Sequence, residues 1–343
     1  MDFGAAHVTQ MALGAWQAQV LYTLSELDVF ELLSEKPLSA QEVARRTGAH
    51  PLAAEGLLNA GVALKLLTRD GDAYADTDLA LRLLCEDSPE SLARWVRVMG
   101  RWSRPWNGLT EVVRTGRPAE EREARLWQDP RYTADFVLGM HEYARRIADE
   151  VADHADLPPG ARVTDVGGGA GTYAIALCRR HPDVSVRILE LASVLPLAER
   201  TVAEAGLADR IDVTAGDYLT DPFGTDVSAV VLSNILHQES REAGESIVRR
   251  AHRALRPGGK LVVNGYFLDE SRTRPLFTTL HNLSAFTLWG GGRSYTVGEA
   301  AALLRSAGFT EPVVHQVAQG ASTVLVAEKA EGPEDQHPAD RRE

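Results

Sequence analysis

The chain has 343 residues, 44% of them hydrophobic, which is enough for two domains with separate cores. A formal net charge of −12 argues against nucleic acid as a partner. No apolar run approaches a membrane span, and the opening MDFGAAHVTQ has neither the basic region nor the hydrophobic block of a secretion signal, so the expectation is a cytoplasmic protein with no membrane partner.

From Met11 to about Leu84, apolar residues recur at three- and four-residue spacing, the period of helices packed on a core. Ser39 to Glu42 (SAQE) reads as a capping box opening one helix, which Thr47, Gly48 and Ala49 close. Leu57 to Leu67 reads as a second helix, and LLTRDGDAYADT as a hairpin turning at Asp70 and Gly71. Two helices and a hairpin make a winged-helix outline and raise a DNA-binding regulator as an alternative. Against it, the segment that would enter a groove, PLAAEGLLNAGVALK, offers one lysine among mostly apolar side chains and reads as core or interface. Met11 to Leu27 is apolar enough to be buried in a partner. Cys85 and Cys178 fall inside helical patterns, as buried thiols do, rather than in a spaced cluster.

Between Pro89 and Ile147 stand Trp95, Met99, Trp102, Trp106, Trp127, Phe136, Met140 and Tyr143, much of the chain's aromatic content. The segment links the helical region to the carboxyl-terminal half of the chain, and clefts at such junctions are where small-molecule sites form.

Val163 to Thr172 reads VTDVGGGAGT, an apolar strand ending beside an acidic residue and opening into glycines at 167, 168, 169 and 171. Glycines there let backbone curl under a ligand at van der Waals distance. Gly169, Gly171 and Ala174 also satisfy a dinucleotide-binding spacing, with Glu190 roughly twenty residues on. However, the carboxylate of Asp165 just ahead of the glycines would repel a pyrophosphate and suits a cationic ligand. Val186 to Leu189 ends at Glu190, and Ile211 to Thr214 precedes Gly216, Asp217 and Tyr218. In an open parallel sheet the carboxyl ends of strands form the ligand crevice, so Asp165, Glu190 and Asp217 would converge on one rim. S-adenosylmethionine, with its sulfonium and ammonium charges, fits that pattern: Glu190 for the ribose diol, Asp217 for an adenine amino group, Tyr218 against the ring.

A fourth strand, Val227 to Ser233, runs into Asn234, Ile235, Leu236, His237 and Gln238, and the turn RPGGK at 256–260 precedes a strand from Leu261 to Asn264. The order DVGGGAG, Glu190, GDY, NILH, LRPGGK resembles the class I S-adenosylmethionine-dependent methyltransferases, specifically the caffeic-acid type of small-molecule O-methyltransferase with its bacterial antibiotic-tailoring branch. The resemblance covers nearly the whole chain. It implies an α/β fold, a Rossmann-like methyltransferase sheet with helices on both faces, preceded by an α-helical winged-helix-like dimerisation domain. The expected division is 1–100 for dimerisation, 101–155 for a helical linker and pocket wall, 156–328 for cofactor binding and catalysis, and 329–343 for a disordered tail. It further implies a homodimer through the amino-terminal helices, and a cofactor site of Asp165, Gly167, Gly169, Gly171, Glu190, Leu191, Gly216, Asp217, Tyr218, Ser233 and Asn234. The acceptor, a flat aromatic or polyketide-like small molecule, would meet Trp102, Phe136, Met140, His141, Gln238, His281, Asn282 and Trp289.

Methyl transfer to a phenol needs its proton removed. A phenol ionises near about 10 and a histidine near about 6.5, so a placed histidine is a suitable base, and His237 coincides with the family's catalytic one. The chain departs from the family where Gln238 follows His237, and where two family glutamates fall at Gly265 and Ser294. A carboxylate partner would orient a histidine and raise its pKa. Three readings are open: His237 works alone on an acidic phenol, His141 or His281 assists, or the reaction is C-methylation. O-methylation is the leading expectation. His237, Gln238 and His281 lack paired metal-ligand spacing, so no metal is expected.

Toward the carboxyl end, Leu276 to Trp289 reads as a helix stopped by Gly290, Gly291 and Gly292. Thr296 to Glu299 reads as a capping box, and an antiparallel strand pair is expected from Val313. The charged, proline-bearing stretch after Glu328 reads as disordered.

Overall fold

The computed structural model describes residues 4–117, 129–289, 292–320 and 322–330. Trp127, Gly290, Gly291, the side chain of Trp289 and the stretch from residue 331 lie outside the described residues. Two compact units emerge, one of residues 1–110 with 126–143, the other of residues 111–125 with 144–343.

In the first unit, α1 (Ala5–Glu26), α2 (Val29–Glu35), α3 (Ala40–Thr47), α4 (Pro51–Ala63) and α5 (Asp78–Leu83) surround a core of Leu24, Phe30, Leu58, Leu67 and Tyr74. A small antiparallel sheet of β1 (Leu38–Ser39), β2 (Leu67–Asp70) and β3 (Ala73–Asp76) in the order β1-β3-β2 completes the winged-helix outline. Three sequence expectations shift. The second helix starts at Pro51, whose fixed φ suits a first helical turn, and stops at Ala63, because Lys65 at φ +60° turns the chain into β2. The hairpin turns on Gly71 and Asp72, since Asp70 still pairs with Ala73. At the start of α3 only half of the capping box forms: Ser39 accepts the Glu42 N–H, while the Glu42 carboxylate takes Arg45 and Arg46.

Helices α6 (Ala93–Trp106), α7 (Leu109–Thr115) and α8 (Pro130–Ala144) come next. At the start of α6, Ser91 Oγ accepts the Ala93 N–H at 3.0 Å, and the buried Glu142 of α8 completes the cap by accepting the Arg94 and Trp95 N–H groups at 2.9 and 3.2 Å. Gly139 makes the approach possible, for a Cβ there would lie 2.9 Å from the Trp95 nitrogen.

The second unit is a seven-stranded sheet in the order β6-β5-β4-β7-β8-β10-β9. Its strands are β4 (Arg162–Val166), β5 (Ser185–Glu190), β6 (Ile211–Ala215), β7 (Val227–Ser233), β8 (Leu255–Gly265), β9 (Val313–Val317) and β10 (Ser322–Glu328). β4 to β8 run parallel, and the last pair is antiparallel, as expected. Near-continuous apolar burial, as in β7, is what a strand covered on both faces requires. One core gathers Ile175, Leu177, Ile188 and Val231 with α9 (Ala148–Asp153) and α10 (Thr172–Arg180); α11 (Leu195–Glu204) adds Val202. The opposite core gathers Val230, Leu232, Ile247 and Leu261 with α12 (Arg241–Ala254). After β4 the chain winds outward through β5 and β6, then returns to place β7 on the other side of β4, which puts the topological switch point between β4 and β7.

The expected turn at RPGGK is instead part of β8, where a bulge separates the pairing of Val227 with Leu255 from that of Ala229 with Lys260. α13 (Leu276–Ser284) ends earlier than the apolar pattern suggested and passes into a π turn, Ala285–Trp289. α14 (Val297–Ser306) opens on the expected capping box, complete in both directions. Lys329, assigned to the tail by the sequence, still bridges to Phe309 and donates its N–H to Gly259 O. No helix of the described residues is long and apolar enough to cross a membrane.

Candidate functional site

β4 ends at Val166, and the Gly167 N–H immediately donates to Leu189 O at 2.8 Å, pinning the glycine turn to β5. Gly167, Gly169 and Gly171 take φ of +62°, +56° and +80°, where a Cβ is strained. They differ in surroundings. A methyl at 167 would stand 2.6 Å from Ile235 Cδ1 and one at 171 2.8 Å from Ile188 Cδ1, whereas one at 169 meets nothing within 4 Å. Gly169 therefore faces the open side of the turn.

Glu190 closes the end of β5 with 8% exposure. Its Oε2 accepts the Gly169 N–H and its Oε1 the Leu191 N–H, both at 2.8 Å, and its carbonyl takes the Gly216 N–H at 2.9 Å. Burial raises its pKa and the two backbone donors oppose the rise. Each carboxylate oxygen retains a lone pair for a diol.

Asp165 does not join this rim. It is 0% exposed, and a Cβ on Gly168 would lie 2.7 Å from its Oδ2, so the carboxylate is sealed beneath the turn. Neither of its oxygens has a hydrogen-bond partner among the described residues. Burial first, and the charge of Glu190 second, push it up to about 7, against a weak opposing pull from the Ala174 N–H that stops short of hydrogen-bond geometry. Asp165 lies one residue before the strand end, and that spacing turns it inward.

Asp217 does reach the end of β6, where it organises its own turn: Oδ1 accepts the Leu219 N–H at 2.8 Å while its N–H donates to Asp221 Oδ2. Tyr218 OH donates to Glu239 at 2.7 Å, which anchors the phenol ring beside Gly167.

Across the switch point, Ser233 Oγ, Asn234 Oδ1 and Asn264 Nδ2 are buried with no hydrogen-bond partner among the described residues. Each such group costs about 1–3 kcal/mol. Ser233 and Asn264 stand side by side in register, and Asn234, at φ +59°, donates its N–H to Asn264 O at 2.8 Å. Sequence reasoning named Ser233 and Asn234 but missed Asn264, whose signal was a lone amide at the end of the apolar run LVV. Open space over Gly169, a carboxylate with free lone pairs and orphaned polar atoms opposite it suit a nucleoside carrying charged groups, as S-adenosylmethionine does.

His237 lies on the short turn Leu236–Gln238 with 7% exposure. His281 of α13 meets it edge to face, ring centroids 4.9 Å apart at 88°. Tyr266 and Phe277, neither foreseen, complete a cluster of rings. The Gln238 side-chain amide turns inward, Nε2 donating to Asn234 O at 2.7 Å and closing the turn. Asn282 Oδ1 accepts the Ser294 N–H at 2.8 Å, which holds the side chain against the chain that follows α13. Among the described residues no three His, Cys, Asp or Glu side chains are grouped to hold a metal ion.

The remaining acceptor candidates belong to the first unit. Trp102 on α6 and Phe136 on α8 are tilted neighbours, centroids 6.3 Å apart, and Met140 and His141 lie further along α8, both half-buried.

Residues 106–310 match the model of the O-methyltransferase domain, and residues 9–86 that of the O-methyltransferase dimerisation domain. The chain is 32% identical over 329 residues to 3-hydroxy-5-methyl-1-naphthoate 3-O-methyltransferase of Streptomyces sahachiroi, covering 94% of this chain and 95% of that relative. It is 29% identical to the tetracenomycin polyketide synthesis 8-O-methyl transferase of Streptomyces glaucescens, covering 95% and 97%. The structure of human N-acetylserotonin methyltransferase in complex with S-adenosylmethionine superposes with a TM-score of 0.83 at 29% identity, over 95% of this chain and 98% of that one. These matches overrule the dehydrogenase reading of the glycine turn and make the winged-helix outline a dimerisation fold.

Proposed function

This chain belongs to the O-methyltransferase family that uses S-adenosylmethionine, and from that premise we propose that it methylates a hydroxyl of a planar aromatic or polyketide-like natural product, with His237 as the base. When bound, S-adenosylmethionine supplies a methyl carbon on a positively charged sulfur, open to displacement. The protein's own tasks are to hold, align, exclude water and accept a proton.

Glu190, with Gly169 and Leu191 fixing both oxygens, is the proposed diol acceptor, and Gly167, Gly171 and Gly216 let backbone approach. Leu191, Asp217 and Tyr218 are the proposed adenosine side, and Ser233 and Asn234 the opposite rim. Asp165 acts through the turn from below, without touching the ligand. His237 takes the acceptor proton; Gln238, His281, Asn282 and Trp289 remain the proposed acceptor contacts of the second unit, and Trp102, Phe136, Met140 and His141 those proposed for the first.

The observation that carries this reading is the buried His237 within a ring cluster, close in the chain to the orphaned Ser233 and Asn234. The relatives' aromatic and polyketide acceptors support the acceptor class. Incubating the protein with S-adenosylmethionine and a panel of phenolic polyketides tests it: a mass gain of one methyl on oxygen is expected, and a gain on carbon alone would overturn the O-methylation reading.

For assembly, α1 is the proposed dimer surface. It leaves Val8, Met11 and Trp16 60%, 64% and 71% exposed, and an apolar helix face of that kind is stable when a second copy covers it.

A further inference from the structure

Two imidazoles share one end of the second unit. His237 and His281 stand 4.9 Å apart edge to face, Tyr266 lies 4.9 Å from His281 and 5.7 Å from His237, and Phe277 is stacked 5.8 Å from His281. A second positive charge at that separation from the buried His237 is costlier than in water, so the pair favours holding at most one proton. Glu239, two residues on from His237, accepts from Tyr218, and Arg241 and Arg293 both pair with Glu299.

Resting on the O-methyltransferase reading above, we propose that His281 is a positioning residue that orients the buried His237 and adds to the burial that keeps it neutral, and that the weak base so formed selects an acceptor hydroxyl acidified by conjugation with a carbonyl: an acyl phenol, a hydroxyquinone or an enol. The pKa directions agree with the geometry. Burial, then the neighbouring imidazole, lowers His237 well below its usual value, and burial lowers His281 to about 4.

The chemistry is set by proton affinity. The acceptor O–H bond breaks, its proton passes to a ring nitrogen of His237, and the oxygen keeps the pair that forms the new C–O bond as the C–S pair returns to sulfur. A simple phenol near about 10 holds its proton too tightly for such a base, whereas a carbonyl-conjugated hydroxyl yields it with little resistance. A neutral His237 is at the same time ready to work at mildly acidic pH, where an isolated histidine is already charged.

Imidazole NMR titration of the ligand-free protein tests the pairing, with His237→Asn assigning the signals. His237 is expected to titrate below about 6.5 in the native chain, and its midpoint to rise by about half a pH unit or more in His281→Phe, with His281→Gln as a second variant should the first fold poorly. Methylation rates over phenols of graded acidity test the selection: at least a tenfold preference for acyl phenols over simple phenols of the same size is expected. A His237 that titrates at or above the ordinary histidine value, or is unmoved in both variants, overturns the pairing, and rates indifferent to acidity overturn the selection. Failure of the native chain to bind S-adenosylhomocysteine would instead strike the functional reading, since the titration needs no ligand.

Discussion

Glu190 and Gly169 are joined by a 2.8 Å hydrogen bond that ties the end of β5 to the open side of the glycine turn. One carboxylate thus shapes the turn and presents its remaining lone pairs to whatever lies over it. Glu190→Ala should weaken S-adenosylhomocysteine binding by roughly 10- to 100-fold, about 1–3 kcal/mol. Isothermal titration measures this, and affinity within twofold of the native chain would remove Glu190 from the site.

The glycines of the turn should separate under substitution. Gly169→Ala carries only the cost of a left-handed backbone, about 1–2 kcal/mol, and puts its methyl into open space. Gly167→Ala adds a collision with Ile235. Thermal melts should rank Gly167→Ala as the less stable, while titration with S-adenosylhomocysteine should find binding impaired in Gly169→Ala beyond what its melt explains. Equal melting points would contradict the packing described for Ile235.

Asp165 offers a pH test with a definite sign. An unfolded aspartate ionises near about 3.9 and the folded one near about 7, so between those values the folded state binds more protons and stability falls as pH rises. Asp165→Asn should therefore melt roughly 2–4 °C above the native chain at pH 8, with the advantage shrinking toward pH 5. A difference that does not vary with pH would mean that Asp165 is not carrying the burial penalty.

His237→Asn should lower turnover by about 10²- to 10⁴-fold while S-adenosylhomocysteine affinity stays within twofold, as for a base that touches the acceptor and not the cofactor. Because burial depresses its pKa, the acid limb of the native pH–rate profile should fall below the usual histidine range. A limb at or above about 6.5 would assign the titration to another group.

Light scattering after size exclusion tests the proposed dimer face. Met11→Asp with Trp16→Asp puts two charges on the exposed stretch of α1 and should convert the dimer to a monomer whose circular dichroism is unchanged. A dimer that survives both substitutions would have to use another surface.

Much of the second unit was legible because parallel strands buried on both faces must be apolar throughout and end at polar residues. Val227 to Ser233 is the plain case, and Glu190 at the end of β5 another. The misses share a cause. RPGGK looked like a turn because glycine and proline signal one locally, yet pairing with β7 on either side of a bulge keeps the segment in β8. Likewise Leu57 to Leu67 looked helical throughout, though Lys65 reverses the chain and Leu67 joins the wing.

What the amino-acid order determined by itself was the succession of strands, the glycine turn and the residue types at each strand end, because these depend on local sterics and on the period of burial. What only the tertiary structure decided was which side chains meet. Asp165 and Glu190 both sit at strand ends in the sequence, yet one is sealed under Gly168 and the other opens beside Gly169. His237, Tyr266, Phe277 and His281, spread over three segments, come together as one ring cluster. Contacts of that kind depend on the twist and register of a whole sheet and on where a helix lands against it, and no local spacing encodes them.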